Sequence, residues 1–174
     1  MKNSKSKVLL GAATLAAAVA HGVPAAQAAT ATIPMTAKVL AAIQITKTAS
    51  MLFGSITESG AGGKVVLSNI DTRSATGGVS LIGGTGATSG GFTVKAATGV
   101  NYDLAFTAAS ATVTNGLGDT MNVTGFTLDG GAIANPYTNT AATATYKMGG
   151  TLNVGAGQAT GNYTGNIAVT AVYQ

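Results

Sequence analysis

The chain has 174 residues, of which only 8% are charged, with nine Lys and Arg against five Asp and Glu and no cysteine. Ordinary globular proteins carry roughly 25% charged residues, so this surface repels its own copies weakly. The absence of cysteine also removes the disulfides on which many small exported domains depend.

Three of the cations, Lys2, Lys5 and Lys7, open a secretory signal pattern: a basic segment, the apolar run Val8–Ala20, and the small-residue site Ala26-Gln27-Ala28. A signal peptide over 1–28 is expected, with cleavage after Ala28. The apolar run is too short and too rich in alanine for a transmembrane helix, which needs about 20 apolar residues, so no membrane span is expected after cleavage. The exported form, 146 residues from 29 to 174, then holds six cations against five anions, a net charge of +1. No basic cluster remains, which argues against nucleic acid and anionic membrane surfaces as partners. A chain of this length suits one domain with its own core.

Catalysis finds no support. The single histidine, His21, lies in the signal peptide, so residues 29–174 contain neither His nor Cys. Ser-His and Cys-His nucleophile activation and the usual zinc ligand sets are thereby excluded. The five acids are scattered, and no two form a carboxylate-pair motif. No catalytic residue, metal site or cofactor is expected.

In chain order, the first element is the run Thr32–Ile45, in which Ile33, Met35, Ala37, Val39, Ala41, Ile43 and Ile45 keep a strict period of two. Fourteen extended residues span about 46 Å, long for one sandwich strand. It reads as an N-terminal extension over 29–38 followed by a domain over 39–174. Further strands are predicted around residues 43–46, 51–56, 64–68, 78–82, 92–96, 102–107, 121–128, 144–148 and 151–154, each bounded by Gly, Asn, Asp or Ser. Asn115-Gly116 and Asp129-Gly130 are the clearest turns. The last fourteen residues close with a strand whose alternate residues Ile167, Val169, Ala171 and Tyr173 point one way.

Strands at 8 to 12 residue spacing without helical segments predict an all-β, immunoglobulin-like antiparallel sandwich. A β-solenoid would show a fixed sequence repeat, and none is present. Ser59-Gly-Ala-Gly-Gly-Lys64 looks like a phosphate loop but has Glu58 and Val65 where that motif needs Gly and a hydroxyl, so it reads as a hairpin loop. The glycine-dense stretch 83–91 reads as a surface loop. Asn122-Val-Thr124 and Asn162-Tyr-Thr164 match the glycosylation triplet and are given no role.

Strand-like termini suggest subunits that join by exchanging strands. The segment Gly149-Gly-Thr-Leu-Asn-Val-Gly-Ala-Gly-Gln158, followed by Gly161-x-Tyr163-x-Gly165 and a strand ending Tyr-Gln, resembles subunits of bacterial chaperone–usher pili. Met51-Leu-Phe-Gly-Ser-Ile56 is similar to the Leu-x-Phe-Gly segment of archaic, spore-coat-U-type pilins. As a whole the chain resembles a family of small exported bacterial proteins catalogued as a domain of unknown function, with the same Ile-Thr-Lys-Thr and Phe-Gly signatures.

The resemblance implies a sandwich completed by donor-strand exchange: a periplasmic chaperone and then an outer-membrane usher as partners, neighbouring copies as the final ones, and a cell-surface filament as the product. It makes Ile33, Met35, Ala37 and Val39 donor residues, and Gly161, Ile167, Val169, Ala171 and Tyr173 the C-terminal groove or chaperone-pairing strand. Two features depart from the pilin pattern: Pro34 lies inside the donor, and the cysteine pair common in pilins is missing. The competing reading is a complete, monomeric, secreted or surface-exposed sandwich that binds a ligand such as carbohydrate through loops like Ala134-Asn-Pro-Tyr-Thr-Asn139, with Tyr137 as the stacking residue.

Overall fold

The computed structural model describes residues 27–84, 86–129, 133 and 135–174. All but the last two residues of the expected signal peptide lie outside them. Two units are distinguished, Met1–Ala37 and Lys38–Gln174. In the first, residues 27–37 have no regular structure and are exposed.

The second unit is all-β among the described residues. Its strands are β1 (Gln44–Ala49), β2 (Ile56–Leu67), β3 (Arg73–Leu81), β4 (Gly90–Lys95), β5 (Tyr102–Phe106), β6 (Ser110–Thr114), β7 (Thr120–Leu128), β8 (Thr143–Val154) and β9 (Val169–Tyr173). Every ladder is antiparallel.

The long strand β8 organises the larger sheet. Its first half, Thr143–Met148, pairs with β4, and its second half, Gly150–Val154, pairs with β2. β7 pairs with Met148–Asn153 and so must lie on the opposite edge from both. β4 and β2 therefore run end to end along one edge of β8, with β1 beyond β4, β3 beyond β2, and β6 beyond β7. The order β1-β4-β8-β7 is the A-B-E-D sheet of an immunoglobulin-like sandwich, and the separate pair β5-β9 occupies the positions of C and F. The fold is thus the antiparallel β-sandwich that the strand spacing predicts.

Apolar alternation explains where the core sits. Phe92, Val94, Tyr146 and Met148 project from β4 and β8 onto Tyr102 and Leu104 of β5, forming one buried cluster. Val65, Val79, Met121, Val123, Leu152 and Val154 form a second, at the β2, β3, β7 end of the sheet. Asp71, in the β2–β3 turn, ties that turn to the start of β4. Its carboxylate accepts from the Ser89 amide and hydroxyl, each at 2.7 Å, and pairs with Lys147 Nζ at 3.2 Å. The Ser89 donors, with Lys147 beside them, lower its pKa to about 2.

Four sequence expectations need correction. The segment 51–55 is not a strand, and Ile56 is the first residue of β2: the chain crosses from β1 to β2 within the larger sheet, with Leu52 bridged to Thr88, and Gly54 at φ 71° breaks the extended path. The two strands expected at 144–148 and 151–154 are one, since Gly149 allows β8 to pass close to β2. A Cβ there would fall on the Leu67 carbonyl. Residues 59–64 are not a hairpin loop but lie within β2, where the register shifts between Glu58 and Gly63. Glu58 accounts for this, accepting from the amides of Gly62 (2.6 Å) and Gly157 (3.2 Å). Finally, β6 was not anticipated; in Ser110-Ala-Thr-Val-Thr114 only Val113 carries a sizeable apolar side chain.

Candidate functional site

The two-stranded sheet has two long edges, and they are treated differently. Gln174 N donates to Asn101 O and Thr107 N to Ala168 O, which fixes the even-numbered residues of β9 as those bonded to β5. In an antiparallel ladder, bonding alternates from one side of a strand to the other. The backbone groups of Val169, Ala171 and Tyr173 therefore point to the far edge of β9, where no strand among the described residues pairs with them.

The far edge of β5 is closed. Tyr102 exchanges both backbone bonds with Tyr137, at 3.2 and 2.8 Å. The Asn135 side-chain amide imitates a backbone: it accepts from Leu104 N at 2.9 Å and donates to Leu104 O at 2.8 Å. Asn139, buried, donates to Ala97 O and accepts from Gly99 N. The segment 135–139 thus acts as a cap on β5, and only the β9 edge of this sheet remains open. Tyr137 belongs to that cap, half-buried, with its ring packed on Tyr102 and edge-on to Tyr146. Burial, together with the Tyr102 hydroxyl, pushes the Tyr146 phenol well above its ordinary pKa, and it stays protonated as a structural hydrogen-bonding group.

Facing the open edge of β9 stands β1. Ala96 N donates to Ala142 O, so the even residues of β4 serve β8 and its odd residues serve β1. By the register of β1 on β4, Gln44 and Thr46 take those bonds, and the backbone groups of Ile45 and Lys47 are left for the outer edge. The start of β1 adjoins the end of β9, because the Tyr173 hydroxyl donates to Ala41 O at 3.0 Å while accepting from Ala97 N at 2.7 Å. Beyond that tie a groove runs between the two strands. Ile45, Lys47, Met51, Phe92, Met148, Ile167 and Val169 line its first stretch, about 270 Å³. A wider stretch of about 830 Å³ continues past Met51 and Ile167 to Phe53, Val113, Met121, Phe126 and Tyr163.

Two features hold the groove's walls. Arg73 donates to the carbonyls of Phe53 (2.6 Å), Ser55 (3.1 Å) and Ile82, fixing the crossing segment. On the other side, 161–165 runs along β6, with Thr164 and Thr114 exchanging backbone bonds at 2.9 Å. Gly165 is required there, since a Cβ would meet the Thr112 carbonyl and stand 2.9 Å from Val113 Cγ1. Tyr163 is oriented by its hydroxyl, which donates to Ala159 O and accepts from Gln158 Nε2, both at 2.8 Å.

Of the expected C-terminal residues, Gly161 and Ile167 line the wider stretch and Ile167 and Val169 the narrower one, whereas Ala171 follows in β9 and Tyr173 sits at the tie to Ala41; β9 itself starts only at Val169. Of the inward residues of β5, Tyr102 and Leu104 are 1% and 0% exposed and Phe106, opposite Val169, is half-buried, as are the inward residues of β9. Ile33, Met35, Ala37 and Val39 lie in irregular chain and are exposed, Met35 and Val39 to 94% each. Reasoning from sequence missed the opposite wall, Ile45, Lys47 and Phe53, and the Asn135 cap. The Ile-Thr-Lys-Thr signature, which holds Ile45 and Lys47, and the Phe-Gly signature, which holds Phe53, were the available signals for the first group.

Among the described residues no group of acids or histidines could hold a metal ion. Among the described residues no helix is long and apolar enough to cross a membrane. No curated protein and no solved structure matches the chain. A family described as a domain of unknown function, DUF4402, matches residues 43–173, and the chain belongs to that family.

Proposed function

We propose that the protein is a structural, pilin-like subunit of a bacterial surface filament, in which the N-terminal segment of one copy fills the groove between β1 and β9 of the next. The observation that carries this reading is the open edge of β9: A-B-E-D and C-F positions are occupied, and among the described residues no strand pairs beside F, where half-buried apolar side chains line the edge. An entering strand would satisfy the backbone of Val169, Ala171 and Tyr173 and bury side chains such as Ile33, Met35 and Val39, each contributing roughly 1.5–3 kcal/mol.

Polarity favours a donor from another copy. The chain enters β1 beside the end of β9, so β1 and β9 run in opposite directions. A segment folding back directly from β1 would run antiparallel to β1 and parallel to β9. A strand from elsewhere can run antiparallel to β9, as every ladder in this fold does. Pro34 is compatible with this arrangement. Directly opposed residues share a face, so donor residues facing inward opposite Val169 and Ala171 are the odd-numbered ones, and these make the bonds to β9. Pro34 is even-numbered and owes no N–H to β9.

An apolar, half-open sandwich of this kind needs cover during export, which is the role that the pilin resemblance gives to a periplasmic chaperone and an outer-membrane usher. The competing loop-binding reading is less favoured, because the half-buried Tyr137 ring packs on Tyr102 and Tyr146. Size-exclusion chromatography and negative-stain microscopy of the full exported chain, beside a variant lacking residues 29–38, test the proposal. Filaments or a ladder of heat-resistant oligomers from the full chain, and folded monomer from the deletion, are expected. A full chain that remains a stable, cooperative monomer overturns it.

A further inference from the structure

We propose that Lys47 is the specificity-determining residue of the groove, a fixed positive charge that faces Ala37 of the entering strand; the inference rests on the strand-exchange reading above. Of the residues lining the two stretches of the groove, Lys47 alone is charged. Its position is unusual for a cation. In the β1–β4 register it lies opposite Phe92, on the inward row that continues from Ile45 opposite the buried Val94. An inward-pointing lysine on an edge strand is a recognised means of keeping that edge from pairing indiscriminately.

The ammonium group has little to hold it. It donates to Ser50 Oγ at a long 3.4 Å and has no carboxylate partner. The side chain remains exposed only as long as the groove is empty. A strand seated between β1 and β9 would pack against its stem and bring its own inward residue close to the charge. A second cation at that level meets repulsion, whereas an acid gains a partner.

The same geometry selects a register. Lys47, Ile167 and Val169 line the same narrow stretch of the groove, so the donor residue that passes Lys47 must share space with a long side chain. In the inward series Ile33, Met35, Ala37 and Val39, Ala37 is the only small residue. An antiparallel strand with Ala37 beside Lys47 carries Met35 and Ile33 towards Tyr173 and Val39 towards the start of β9. The donor's own charge, Lys38, then faces outward, away from Lys47.

The test is a charge swap in the full exported chain, read as the fraction surviving as oligomers across a urea series. Ala37→Lys should raise the dissociated fraction, weakening assembly roughly tenfold, the effect of like charges about 5 Å apart at a half-exposed site. Ala37→Glu should assemble at least as well as the parent, and the double variant Ala37→Lys, Lys47→Glu should recover most of the loss. Thr36→Lys, one position away and facing outward, should change little. Because residue 37 lies in exposed, irregular chain, these donor substitutions leave the folded unit intact, which far-UV circular dichroism checks.

Equal behaviour of the Lys and Glu variants at position 37, or a Lys defect that Lys47→Glu fails to relieve, overturns the role of Lys47 while leaving strand exchange standing. A parent chain that forms no oligomer removes both.

Discussion

Replacing Asn135 with alanine probes the asymmetry between the two edges of the β5-β9 sheet. The Asn135 amide makes two bonds to Leu104, at 2.9 and 2.8 Å, and Leu104 itself is 0% exposed. Each neutral bond contributes about 0.5–1.5 kcal/mol, and a buried backbone group left without a partner costs about 1–3 kcal/mol. Asn135 is exposed, so water can replace part of what is lost, and the net destabilisation should be about 1–3 kcal/mol. Urea denaturation of the variant lacking residues 29–38, with and without Asn135→Ala, measures this on an unassembled background. Asn135→Asp sharpens the test: its carboxylate can accept from Leu104 N but opposes the Leu104 carbonyl, and protonation restores the donor. Its deficit against the parent should therefore shrink as pH falls below about 4. A loss under about 0.5 kcal/mol for Asn135→Ala would refute the view that this side chain closes the β5 edge.

Gly165→Val should destabilise the unit by more than about 2 kcal/mol, since its Cβ would collide with backbone rather than with a side chain that can move; thermal unfolding reads it, and an unchanged transition would remove the proposed close approach to β6. Tyr173→Phe should cost about 1–2 kcal/mol by deleting the bonds to Ala41 O and Ala97 N, with the larger effect on oligomer stability if the groove's closed end depends on that tie. Asp71 has a folded pKa of about 2 against an ordinary 3.8, so its contribution is complete above about pH 4 and fades as pH falls towards 2. Asp71→Asn should flatten that part of the stability profile, and an identical acid limb in both proteins would contradict the assignment.

The fold class was legible because sandwich strands announce themselves by alternation: Phe92-Thr-Val94 and Met121-Asn-Val123 put successive apolar residues on one face. Element boundaries were less legible where tertiary neighbours decide. Ile33 to Ile45 alternate without interruption, yet β1 begins only at Gln44, because a strand needs a ladder and β4 offers one only from there. Met51 to Ile56 has strand composition, but residues 51–55 cross from β1 to β2 with a single bridge, Leu52–Thr88. On the groove, the β9 side was readable from its own alternation, whereas Lys47, Phe53 and Asn135 gain their roles from residues distant in sequence. No local pattern says that Asn135 will stand in for a backbone beside Leu104.

The most direct measurement of the central claim is amide hydrogen exchange along β9. In a subunit lacking residues 29–38, the amides of Thr170, Val172 and Gln174 face β5 and should exchange slowly, while those of Val169, Ala171 and Tyr173 face the empty groove and should exchange fast. In assembled full-length protein all six should be slow. Fast exchange of the odd-numbered amides that persists in the oligomer, or their protection in the isolated subunit, would contradict a groove filled by a neighbour's strand.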